Sequence, residues 1–168
     1  MTIAEMLLPE FDQEMATTRR LLELIPEEKA GWKPHPKSWT LGELGLHLAN
    51  LLSWTKPTLE ETELDLEPPD GPAWKPPTFE SAAENLKHFD ANRDEARAAI
   101  ASCSDADMMV PWTLKKAGET FFSLPRVVCL RSFILSHTIH HRGQLTVYLR
   151  QCEVPLPPVY GPTADEDM

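Results

Sequence analysis

His137 and His141 stand four residues apart in the run SFILSHTIHHRGQLTVYLR. At 3.6 residues per turn their rings lie only about 40° apart around a helix axis. The same face carries Leu130, Phe133, Ile134, Leu145 and Tyr148. Imidazoles held among apolar side chains are costly unless something claims their lone pairs, and a divalent cation claims several at once. His47 repeats the anomaly in LGELGLHLANLL, a polar ring between Leu44 and Leu51 on an otherwise apolar stripe. Three neutral imidazoles can hold zinc, nickel or a similar divalent ion and leave positions open to water or substrate, as catalytic sites do. A cation with an open position lowers the pKa of a thiol or water that enters it. The competing reading of the same residues is a set of core histidines satisfied by hydrogen bonds, with the metal structural or absent.

The surroundings refine this expectation. Gln144 and Tyr148 continue the line of His137 along the helix, where they could reach a metal-held water or a substrate. Tyr148 is equally well read as a core residue with a bonded hydroxyl. His140 lies toward the flank, His35 in a proline-rich loop and His88 on a polar stretch, so the last two are expected to be solvated. Arg142 is expected to point away from the apolar stripe, toward a subunit contact or a bundle-edge ion pair. Thr138 follows His137, so the HExxH signature of metalloproteases and its general base are missing. No Ser-His-Asp order, phosphate loop or dinucleotide fingerprint competes for the active-site role.

Four helical stretches must position these rings. The first runs from about Ile3 to Leu24 and stops before Pro26, with Pro9 either starting its regular part or kinking it. Thr40 and Glu43 form a T-x-x-E capping box for the second, whose inward residues are Leu44, His47, Leu51 and Trp54. Pro57 marks a kink or the approach of its end. The segment LDLEPPDGPAWKPP reads as a long crossover loop, after which Thr78 caps a third helix that continues through Phe89 to Ile100. The stretch SDADMMVPWTLKKAGETFFSLPR suits a short hairpin. The fourth helix opens between Ser123 and Arg126 and reaches about Arg150. The proline-rich tail offers Val154, Leu156, Val159 and Tyr160 for packing across the helices. The pattern predicts an all-α fold, four helices around one core with a long crossover loop and an ordered tail, in a single domain over residues 1–168.

Composition excludes several classes. A net charge of −10 over 168 residues argues against gripping phosphate backbones, so no nucleic-acid partner is expected. No apolar run is long enough to cross a membrane, and the acidic N-terminal stretch does not resemble a signal peptide. Cys103, Cys129 and Cys152 are an odd, widely spaced set without a CxxC pair, as suits reduced thiols in the cytoplasm.

At this point the residues resemble a known family. The segments LLELIPEEKAGWKPHPKSWTLGELGLHLAN, SHTIHHRGQLTVYLR and VPLPPVYGPTADE are similar to the DinB-like (damage-inducible) proteins, which are grouped with thiol-dependent S-transferases and mycothiol-dependent maleylpyruvate isomerases. The resemblance implies an up-down-down-up four-helix bundle, usually a homodimer. It implies a divalent metal held by one histidine of the second helix and two of the last, which match His47, His137 and His141. It also implies a small-molecule substrate and a low-molecular-weight thiol as cosubstrate, although no site for a particular thiol is recognisable here.

Overall fold

The structure, a computed structural model, describes residues 1–167. Helix α1 spans Ile3–Leu22 and runs through the exposed Pro9 without interruption. It opens on a capping box in which Thr2 and Glu5 satisfy each other's backbone N–H groups. Helix α2 (Leu41–Leu51) opens the same way: the Thr40 N–H donates to Glu43 Oε2 at 2.7 Å and the Glu43 N–H to Thr40 Oγ1 at 3.1 Å. A 3-10 turn over Leu52–Trp54 then leads into the short α3 (Thr55–Glu60). Pro57 lies in the first turn of α3, where an N–H would have no helical partner, so the proline is accommodated there.

Helix α4 (Ala82–Ser102) begins three residues later than the sequence suggests. Ser81, not Thr78, is its cap, accepting the Glu84 N–H at 3.1 Å. Residues up to Phe79 are instead drawn toward α2, where the Phe79 ring packs against Gly42 so closely that a Cβ there would lie 2.9 Å from it. After α5 (Asp105–Met108) and a hairpin, α6 (Arg126–Cys129), a π-helical turn (Leu130–Leu135) and α7 (Ser136–Gln151) follow without a break. Helices α1 and α2 each pack against both α4 and α7. Their shared core contains Phe11, Met15 and Leu22 from α1, Leu44 and Leu48 from α2, Phe89 and Ile100 from α4, and Leu145 and Leu149 from α7.

The expectation of an all-α fold needs correction, because three strands form a small sheet. The expected hairpin is present as β2 (Pro111–Lys116) and β3 (Glu119–Pro125), paired antiparallel. The crossover segment supplies the other member: β1 (Glu63–Asp65) pairs parallel with β2, Leu64 opposite Leu114. Three residues are too few to show an alternating pattern, which is why the strand is hidden in the sequence. The sheet has its own apolar cluster of Trp112, Leu114 and Cys129, against which Trp54 and Phe133 pack.

The hairpin loop is Ala117-Gly118, with φ of 51° and 81°. Two positive φ values belong to the tight hairpin turns that favour Asn-Gly, and alanine bears a steric penalty there. Ala117→Asn is therefore expected to stabilise the protein by about 0.5–1 kcal/mol. Urea unfolding of the two proteins measures it, and an unchanged or lower midpoint contradicts it.

Arg142 also departs from expectation. It is 2% exposed and inserted between helices, because the buried residues of α7 are Thr138, His141, Arg142, Leu145 and Leu149. Its Nη1 pairs with Glu14 Oε2 at 2.5 Å and also donates to the Glu14 carbonyl at 3.1 Å. Its Nη2 donates to the Tyr160 hydroxyl at 2.6 Å, and that hydroxyl donates to Glu14 Oε1 at 2.9 Å. The tail is thereby tied to α1 and α7, while Val154, Leu156 and Val159 pack on the core.

Candidate metal centre

His137 and His141 lie on the edge of the buried face of α7, and His47 is half-buried on the facing side of α2. Their Nε2 atoms converge: 2.9 Å separates those of His137 and His141, and 3.4 Å those of His47 and His137. One ligand atom from each ring lies within 4.8 Å of the others, a grouping that could hold a metal ion. No His, Cys, Asp or Glu joins them as a fourth member among the described residues.

The π-helical turn sets the phase of the pair. The Ser136 N–H donates to the Arg131 carbonyl five residues back, so one extra residue is accommodated just before His137. The His137 Nδ1 lies 3.2 Å from the Phe133 carbonyl, and the His141 Nδ1 lies 2.8 Å from Gln144 Oε1. A carbonyl and an amide oxygen only accept, so both Nδ1 atoms carry the proton and both Nε2 atoms present lone pairs. Two lone pairs facing each other at 2.9 Å repel unless a cation or a proton lies between them. Around a cation with metal–nitrogen bonds of about 2.1 Å, neighbouring nitrogens sit about 3.0–3.4 Å apart, in keeping with the separations found here. The donor set and its spacing fit a divalent ion.

Charge favours the same conclusion. Burial holds all three imidazoles below the ordinary histidine range, and neighbouring rings push in the same direction. His47 is lowered furthest, to about 4, with desolvation the largest cause and His141 and His137 following. The rings are therefore neutral near pH 7, the form that ligates a metal.

Gln144 reaches the site through His141, whose ring it orients, and the contact it makes is to the ring and not to His137. Tyr148 packs edge-on against Trp32 at 5.6 Å. His140 is exposed beside His141, and His35 is exposed in its loop. His88 is a correction: it is half-buried, with Nε2 3.1 Å from Asn92 and 3.4 Å from Asn50, because the polar stretch of α4 faces α2 there. Glu43 caps α2 as expected.

A cleft of about 560 Å³ opens beside His47. It is walled by the loop before α2, by α2 itself and by the segment that precedes α4, bringing together Trp39, Glu43, Trp74 and Phe79. The Trp39 ring lies 4.7 Å from that of His47 and 5.4 Å from that of His141. Periodicity could not reveal these aromatics because they lie in loops. The available signal was compositional, two tryptophans in proline-rich segments with no helix stripe to bury them.

Comparison with known proteins places these features in context. A protein of Bacillus subtilis (strain 168) described as "Uncharacterized protein YrdA" is 24% identical over 162 residues, covering 95% of this chain and 89% of that protein. The crystal structure of a DinB-like protein from Bacillus cereus ATCC 10987 superposes with a TM-score of 0.71 at 23% identity, covering 95% of this chain and 98% of the other. A second, the DinB-like protein YjoA from Bacillus subtilis, gives 0.69 at 18% identity, covering 91% and 96%. Among protein families, the DinB superfamily matches residues 10–145, and the chain belongs to it.

Proposed function

We propose that this protein is a metal-dependent enzyme acting on a small molecule, with transfer of a thiol to an electrophile as its leading reaction and hydrolysis or isomerisation as alternatives on the same centre. The observation that carries this reading is that His47 belongs both to the three-imidazole cluster and to the wall of the cleft. A purely structural metal site is normally closed by four protein ligands, whereas three ligands beside a cavity leave access from outside. Zinc or nickel suits the all-imidazole donor set.

A bound divalent ion would supply Lewis acidity, lowering the pKa of a thiol or water admitted to its open positions. The chain's own contribution is to fix the donors. The Phe133 carbonyl and Gln144 hold the tautomers of His137 and His141, and Trp39 covers two of the rings. The fold is read as an up-down-down-up four-helix bundle that forms a homodimer in the cytoplasm. No helix among the described residues is long and apolar enough to cross a membrane.

The rival reading, a non-catalytic stress-associated bundle, makes the metal a fold-stabilising element. Elemental analysis of protein purified without added metal, alongside His47→Ala, begins the test. The expected result is a divalent metal in the parent and strong depletion in the variant. Equal metal content in both removes His47 from the centre. Metal-loaded and chelated protein are then assayed for consumption of thiol with a soft electrophile. Turnover only in the loaded form supports the enzyme, and its absence across thiols, together with a large metal-dependent stability, supports the rival.

A further inference from the structure

The cleft beside His47 has an uneven chemical character. Its walls carry the large rings of Trp39 and Trp74, 46% and 45% exposed, together with Phe79 and apolar proline surface. Exposed tryptophans gathered on one concavity are a feature of binding surfaces. No Lys or Arg lines the cleft, and Glu43 is its one carboxylate.

That carboxylate is held ionised. The Thr40 backbone N–H, then the Thr40 side chain, lower its pKa below the usual range, and Lys33 adds a weaker pull. Lys33 is not part of the wall, and its ammonium donates to the Pro36 carbonyl at 3.2 Å. The cap uses Glu43 Oε2, leaving Oε1 without a protein donor among the described residues. Glu43 and His47 are four apart on one helix, so they are neighbours on the same face.

We propose that the cleft selects a molecule with a flat apolar body and a cationic nitrogen, the nitrogen lying within reach of Glu43 and the tryptophan rings, beside the three imidazoles. Indole faces attract cations through their quadrupole, and a carboxylate nearby adds a net charge. The protein's overall charge of −10 draws cations toward it. Ligands carrying a carboxylate at the Glu43 end are disfavoured. The inference deepens the proposed enzyme function, naming the substrate class of that same site, and it rests on that reading for its catalytic meaning.

Three probes sharing one ring system test it: naphthylmethyl-trimethylammonium, naphthalenemethanol and naphthylacetate. A quaternary nitrogen cannot ligate a metal, so its affinity reports the cleft alone. Titration calorimetry is run on full-length zinc-loaded protein and repeated after chelation, with naphthylacetate measured only after chelation to keep its own coordination out. The cation is expected to bind about tenfold more tightly than the alcohol in both forms, and the carboxylate more weakly than either. Glu43→Gln keeps the capping geometry, since glutamine serves at that position, and is expected to reduce the preference to about twofold, with the thermal midpoint lowered by only about 2–4 °C as the charge-assisted hydrogen bond to Thr40 is lost.

Trp74→Ala, in an exposed loop, is expected to weaken the cation more than the alcohol. Equal binding of cation and alcohol, tighter binding of the carboxylate, or a preference unmoved by both substitutions overturns the inference. Absence of metal from the purified protein, with the cation preference intact, would instead overturn only the preceding reading.

Discussion

Arg142→Ala lowers the stability of this protein by about 3–5 kcal/mol, the usual consequence of leaving one member of a buried ion pair without its partner. A domain of this size has about 5–15 kcal/mol in total, so the variant should lie near the edge of folding at 37 °C. The reason is geometric. Glu14 is 6% exposed and turned toward the Arg142 guanidinium, and Tyr160 bridges them from the tail. Removing the arginine strands a carboxylate where water cannot replace it. Glu14→Leu combined with Arg142→Met should recover most of the loss, because it removes both charges and retains apolar volume. Denaturant unfolding of the three proteins decides the matter, and an Arg142→Ala midpoint within error of the parent would show that the pair is not buried in solution.

His137→Ala carries the second large effect. Loss of an outer partner to a metal-bound imidazole costs about 10–100-fold in affinity, and loss of the ring itself should exceed about 100-fold. A metal that binds only the folded chain stabilises it by about 4 kcal/mol at a concentration 1,000 times its Kd. At that same concentration the increment in His137→Ala should fall below about 1.5 kcal/mol. Gln144→Ala, which leaves His141 without its oriented Nδ1 partner, should fall between the two proteins. Thermal scans with and without zinc, set beside direct metal titration, measure this. An undiminished zinc response in His137→Ala would remove that ring from the centre.

How far the amino-acid sequence anticipated these features depends on whether a residue's role follows from local periodicity. The capping box at Thr40 and the hairpin over 111–125 were readable because each has a signal within a few residues. His47, His137 and His141 were readable as a possible cluster because each interrupts an apolar stripe. Arg142 was not legible, because the stripe that runs through His137 points one residue away from the face that Thr138, Leu145 and Leu149 bury. Strand β1 was hidden because its pairing is with residues some fifty positions away, and Ser81 replaced Thr78 as a cap because Phe79 is committed to Gly42. Those are tertiary facts, and no window of sequence contains them.

The over-wide turn from Leu130 to Leu135 has one more consequence. Its backbone winding acts as an angular offset between the part of the helix that supports the sheet and the part that carries the imidazoles. Closing the same residues to ordinary pitch, with none removed, would rotate everything downstream by about 100° relative to what precedes it. The helix would survive such a tightening while its two nitrogens swung away from His47. The regular winding that propensity alone would favour is thus denied to this segment by the aim of two side chains.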